Sequence, residues 1–128
     1  MKKTFLFFLI FNLFIPTALA LDWPAFNSKD FAIAQSEGKS IALVVHADWC
    51  ATCRSQEMQL NRIANLPEYK DFILFRIDFD KQKEVMNDLR VPSRSTILIF
   101  RGTSEVGRIV AENRFEVLRD LFSFGLNK

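Results

Sequence analysis

The chain has only two cysteines, Cys50 and Cys53, so a framework of several structural disulfides is excluded. Its one histidine, His46, leaves a closed zinc site short of the four ligands such a site takes. A C-x-x-C followed by histidine would mark haem attachment, but Arg54 follows Cys53. With four glycines and four prolines spread along 128 residues, the chain shows no linker, repeat or low-complexity tract. Charge of one sign is also scarce. The 17 basic residues exceed the 15 acidic ones only by Lys2 and Lys3 at the start, which gives no support to a nucleic-acid role. No apolar run reaches the roughly 20 residues of a spanning helix.

What the start does carry is an export signature. Lys2 and Lys3 precede an apolar run from Phe5 to Ile15, then Pro16 and the small-residue site Ala18-Leu19-Ala20. Residues 1–20 are expected to be a signal peptide cleaved after Ala20, with an uncleaved membrane anchor as the alternative. The shortness of the signal suggests a bacterial source and a periplasmic destination. Leu21 to Lys128 suits one small domain with a single core. An exported domain of this size without a spare bridge relies on that core, so the bridge it can form is expected to be functional.

Periodicity orders the domain. Phe26, Phe31, Ile33 and Ala34 surround a first helix with Asn27 or Ser28 as N-cap and Gly38 as stop. Ile41 to Ala47 reads as a buried strand. A helix from about Thr52 to Ala64 carries Met58, Leu60, Ile63 and Ala64 and ends before Pro67. Phe72 to Ile77 is a second strand, Lys83 to Leu89 a short helix, and Thr96 to Arg101 a strand that turns at Arg101-Gly102-Thr103-Ser104 into Glu105 to Val110. Arg114 to Phe124 closes the chain as an amphipathic helix burying Val117, Leu118, Leu121 and Phe122. The expected class is α/β: a central mixed sheet flanked by helices on both faces.

The cysteines fall at the junction of the first strand and its following helix. Cys50 would face unpaired N–H groups, which together with the helix dipole favour thiolate, the species that attacks disulfides. Cys53, one turn further in and expected to be less exposed, is the natural resolving thiol. A permanently closed structural bridge is the weaker alternative, because so short a loop restrains little of the unfolded chain.

These features, in this order, resemble the thioredoxin fold, and specifically exported thioredoxin-like thiol:disulfide oxidoreductases, over nearly all of Leu21 to Lys128. The carriers are Ala47-Asp48-Trp49-Cys50-Ala51-Thr52-Cys53, the strand end Arg76-Ile77-Asp78, and Val91 through Thr96-Ile97-Leu98-Ile99-Phe100-Arg101-Gly102. The resemblance implies catalytic Cys50 and Cys53, and a substrate face formed by Trp49 and the loop Arg94-Ser95-Thr96.

Two departures stand out. Where thioredoxins place a cis-proline this chain has Ser95, with Pro92 as the alternative under a shifted alignment. The Arg94-Ser95 peptide is therefore expected to be trans, or cis and strained. The Ser95 hydroxyl is placed to bond a sulfur or to open the dithiol to a metal ion. The buried acid of many thioredoxins is matched by Val44, which is core. His46 is then a candidate proton shuttle, set against a structural role at a strand end. Asp48 and Glu57 are read as solvated, Arg54 as projecting into water, Trp23 as a packing anchor and Arg76 as structural.

The resulting expectation is disulfide exchange with protein partners, without a cofactor and without bound metal, by a monomer. A redox-recycling protein, membrane-bound if the electrons come from across the membrane, completes the cycle. The intact motif around Trp49 and the lack of an inserted helical domain favour the reductase direction over the oxidase. A Cu(I)-type binding or delivery module on Cys50 and Cys53, with Met58 and Met86 as further donors, is the alternative of a different class, and a redox-inert binding module is a third. The mature protein recovered from an exporting bacterial host is expected to begin at Leu21. An intact mass that retains residues 1–20 would instead identify the anchor.

Overall fold

The computed structural model describes residues 23–127, so the proposed signal peptide, residues 1–20, lies outside the described residues. The elements are α1 (Ser28–Ser36), β1 (Ser40–His46), α2 (Ala51–Ala64), a 3₁₀ turn (Pro67–Tyr69), β2 (Ile73–Asp78), α3 (Lys83–Asp88), β3 (Thr96–Arg101), β4 (Ser104–Val110) and α4 (Phe115–Ser123). Their order matches the sequence reading, with boundaries moved by a residue or two. The 3₁₀ turn is an addition: Pro67 ends α2 sequentially yet starts a turn of its own.

The sheet runs β2-β1-β3-β4, with β1 and β2 parallel and the other two pairs antiparallel. Every residue of β1 after Ser40 is buried, because helices cover both faces. Alternation divides those residues. Ala42 and Val44 point to a layer with Leu60 and Ile63 of α2 and Leu118, Leu121 and Phe122 of α4. Ile41, Leu43 and Val45 point to the layer that holds Ala34, Met86 and Phe100.

Capping fixes the first helix. The Asn27 side chain accepts hydrogen bonds from Lys29 N (2.9 Å) and Asp30 N (3.1 Å), and Gly38 follows the helix with φ of +68°, a conformation glycine adopts freely. Ahead of it, Phe26 N donates to Arg76 O and Arg76 N donates to Pro24 O, so the chain around Ala25 lies along the outer edge of β2. Trp23 is buried at 5% exposure, as the packing role requires.

Two of the apolar residues that mark the helices lie outside the core. Ile33 and Met58 are 47% and 61% exposed, because α1 and α2 each turn a different arc inward. On α2 the buried set is Cys53, Gln56, Leu60 and Ile63, at helical spacing and with a polar member. Phe122, fully buried, stacks on Phe72 (ring centroids 5.0 Å) and meets the edge of Tyr69 (6.0 Å). Phe122→Ala is expected to cost about 3–5 kcal/mol of stability, read as a lower urea midpoint at unchanged slope.

Candidate active site

After β1 the chain turns through Ala47-Asp48-Trp49, with Cys50 N donating to Ala47 O (3.0 Å). Cys50 is the N-cap of α2 in extended conformation, and its Sγ accepts a hydrogen bond from Cys53 N at 3.1 Å. The Cys50 sulfur thus takes the place of the usual serine or aspartate oxygen at a helix start, where backbone N–H groups stabilise negative charge. Cys50 and Cys53 are joined in a disulfide. The expected contrast in exposure is not found: Cys50 is 3% and Cys53 2% exposed, packed on Ala47 and Phe79. Cys53 Sγ lies 3.9 Å from the Val45 carbonyl oxygen.

Over the sulfurs sits Ser95. Its Oγ is 3.3 Å from Cys50 Sγ and 3.1 Å from Cys53 Sγ, and the residue is 2% exposed. In the disulfide neither sulfur carries a proton, so the hydroxyl is the donor. No cis peptide bond occurs among the described residues, so Arg94-Ser95 is trans, and Pro92 takes no cis role either. The conformational cost lies elsewhere: Ser95 has φ of +57°, a left-handed geometry costing about 1–2 kcal/mol for a residue with a side chain. Its backbone is held from three directions. Ser95 N donates to Val45 O (2.9 Å), and Ser95 O accepts from Ala111 N (2.9 Å) and from Gln56 Nε2 (3.2 Å).

Gln56 is a residue the sequence reading missed. It is fully buried, and its Nε2 also donates to Glu112 O at 2.8 Å, which ties α2 to the Ser95 loop and to the segment entering α4. Its position in the inward stripe of α2, three residues after Cys53, was the available signal. At the far end of this network the Glu112 carboxyl is pulled down to about 2, chiefly by its hydrogen bond from the Arg114 side chain and then by the Arg114 backbone N–H. Its stabilising charge is present above the ordinary 4.5 and is lost as pH falls towards about 2.

Glu57 also departs from expectation, since it is not simply solvated. Its carboxylate accepts a hydrogen bond from Arg76 Nη2, and its Oε1 lies 3.3 Å from His46 Nδ1. Arg76 is paired with Val44 across the β1–β2 ladder, so the cluster sits beside the position where the buried acid is missing. His46 is 7% exposed, with Nε2 3.4 Å from Asp48 Oδ1. His46 therefore faces two carboxylates, and among the described residues no hydrogen bond joins it to either cysteine. Asp48 is solvated as expected, whereas Arg54, exposed, donates from Nη1 to Asp48 O at 2.8 Å.

Trp49 forms the rim at 57% exposure. Its Nε1 donates to Asp80 Oδ2 (2.8 Å), its ring meets Phe79 edge-on (6.1 Å), and the Arg94 guanidinium lies 4.8 Å from its ring centroid. Two of the predicted substrate-face residues, Trp49 and Arg94, are thus brought together. Thr96 is buried and its Oγ1 donates to Ser93 O (2.7 Å), so its hydroxyl is used within the loop. The thioethers considered as metal donors are held apart: Met86 is core and Met58 faces solvent.

The sheet order and the cysteine that caps the helix after β1 correspond to one family. The thioredoxin family model matches residues 24–123. The chain belongs to the thioredoxin family. Thioredoxin H2-2 of Oryza sativa subsp. japonica is 30% identical over 86 residues, covering 67% of this chain and 63% of the rice protein. This chain therefore spans less than two thirds of that relative. Thioredoxin-2 of Saccharomyces cerevisiae is 27% identical over 87 residues, covering 68% of this chain and 81% of the yeast protein. The crystal structure of Trxlp from Edwardsiella tarda EIB202 superposes with a TM-score of 0.75 at 31% identity, covering 77% of this chain and 96% of that one.

Removing the Gln56 amide leaves the Glu112 carbonyl without its partner and takes one of two donors from Ser95 O. Gln56→Ala is expected to lower stability by about 1–3 kcal/mol in urea titration, with the largest loss of amide hydrogen-exchange protection at Ala111 and around Ser95.

Proposed function

We propose that this chain exchanges disulfides with partner proteins through Cys50 and Cys53, in the periplasm, in the reductase direction. The observation that carries the reading is the capping geometry: the Cys50 sulfur at the start of α2, bonded by Cys53 N–H and one turn from Cys53 Sγ. The Cys50 thiolate attacks a partner disulfide, forming a mixed disulfide and releasing one partner sulfur as thiolate. The Cys53 thiolate then attacks Cys50 Sγ, the Cys50–partner bond breaks, and the second partner sulfur leaves with the electron pair. The partner gains two electrons and this protein retains the Cys50–Cys53 disulfide.

The face around Trp49 suits a protein substrate. Arg94 is exposed and, among the described residues, has no backbone hydrogen bond, so it can pair with an extended partner segment. The N–H and C=O of Ser95 are already bonded within the fold, which leaves its hydroxyl for the sulfurs. A recycling protein must return the two electrons. The relative from Mycobacterium leprae called bifunctional thioredoxin reductase/thioredoxin, 30% identical over 96 residues, supports a reductase as that partner. Export rests on the composition of residues 1–20, and places the electron source across the membrane.

Two measurements test this reading. Cys53→Ser is expected to accumulate mixed disulfides with partners in cells, and Cys50→Ser few or none; equal trapping by the two would overturn the assignment of roles. Equilibration of the mature protein with glutathione is expected to give a potential near the roughly −270 mV of thioredoxin. A value near the roughly −120 mV of a strong periplasmic oxidant would reverse the direction proposed here.

A further inference from the structure

We propose that the Ser95 hydroxyl is a catalytic group of the exchange reaction, donating a hydrogen bond to whichever of the two sulfurs carries the negative charge at each stage. The inference rests on the exchange chemistry proposed above and adds a participant to it. Three observations support it. Ser95 Oγ is within 3.3 Å of both sulfurs and closer to Cys53 (3.1 Å) than to Cys50. The backbone of residue 95 is fixed by bonds from Val45, Ala111 and Gln56 that do not involve its side chain, so the hydroxyl is held in place without being used for folding. Finally, Val44 supplies no polar atom beneath a resolving thiol that is itself 2% exposed.

The chemistry follows from the strength of the acceptor. A disulfide sulfur accepts weakly, whereas a thiolate takes a charge-assisted hydrogen bond about twice as strong as a neutral one. In the reduced protein the hydroxyl donates to the Cys50 thiolate, beside the N–H of Cys53, and its oxygen can accept from the Cys53 thiol. When Cys50 is tied to a partner, the charge moves: Cys53 gives up its proton to solvent, and the hydroxyl turns its hydrogen to the Cys53 thiolate. That thiolate forms the new bond to Cys50 Sγ. The Cys50–partner bond breaks, and the departing partner sulfur takes up a proton from solvent to replace the one Cys53 released. In the reverse direction the same hydrogen bond steadies Cys53 as it leaves the bridge.

Because the hydroxyl favours thiolate over disulfide, its loss must move the couple towards the disulfide. The test uses Ser95→Ala and Ser95→Gly. Alanine keeps a side chain at φ of +57° and so keeps the backbone cost, while glycine relieves it and is expected to fold at least as well. Titratable groups on the surrounding elements (His46, Asp48, Glu57, Asp78, Asp80 and Arg94) are common to all three proteins, so their effect cancels in the comparison.

Both variants are expected to shift the glutathione equilibrium about tenfold towards the oxidised protein, equivalent to about 30 mV more reducing. Both should raise the Cys50 pKa, read from the pH dependence of alkylation, by about one unit. Both should accumulate mixed disulfide in a single turnover that wild type resolves. Agreement between alanine and glycine assigns the effect to the hydroxyl. An alanine variant indistinguishable from wild type, whether or not glycine differs, overturns the inference. A wild type with no reversible couple at all would refute the exchange reading itself, and this inference with it.

Discussion

Pairing of β1 with β3 is the constraint on which the site depends. The register that sets Val44 opposite Ile97 and Leu43 opposite Leu98 brings the chain entering β3 beside the chain leaving β1. Ser95 N can then reach Val45 O, and the Ser95 hydroxyl settles between two sulfurs more than 40 residues away in sequence. A slip of one residue would put Val44 and Val45 on the wrong faces of the sheet and carry Ser95 away from the dithiol. The apolar layers on both faces fix that register. The capped cysteine, in turn, needs only the start of α2.

The elements legible in the sequence were those with a local cause. The continuous apolar runs of β1 and β3, the Asn27 cap, and the Arg101-Gly102 turn each follow from neighbours in sequence, and each was placed within a residue or two. The two cysteines at a strand–helix junction were legible for the same reason. Long-range polar contacts were not. Glu57 reads as a solvated helix residue until Arg76 arrives from β2 and His46 from the end of β1. Gln56 drew no reading at all, because the two carbonyls that converge on its amide come from different loops.

The departure at residue 95 changes the chemistry of a family position together with its backbone geometry. A proline at this point contributes a ring and no donor. Serine here keeps a trans peptide, takes the conformational cost in φ instead, and presents a hydroxyl to the sulfurs. Polar groups near the dithiol accordingly come from the loop above it and from α2, rather than from the sheet beneath at Val44. The Glu57–Arg76–His46 cluster lies one strand position from that vacated place, a redistribution of charge rather than its removal.

Trp49 carries a further consequence, one of binding entropy. An exposed aromatic side chain ordinarily loses rotational freedom when a partner covers it, at about 0.5–1.5 kcal/mol per immobilised group. Here Asp80 holds the indole nitrogen, Phe79 the edge and Arg94 a face before any partner arrives. The ordering cost at this residue is therefore met during folding. In the proposed exchange a partner meets a rigid, half-exposed ring, so less of the contact energy is offset by ordering this side chain.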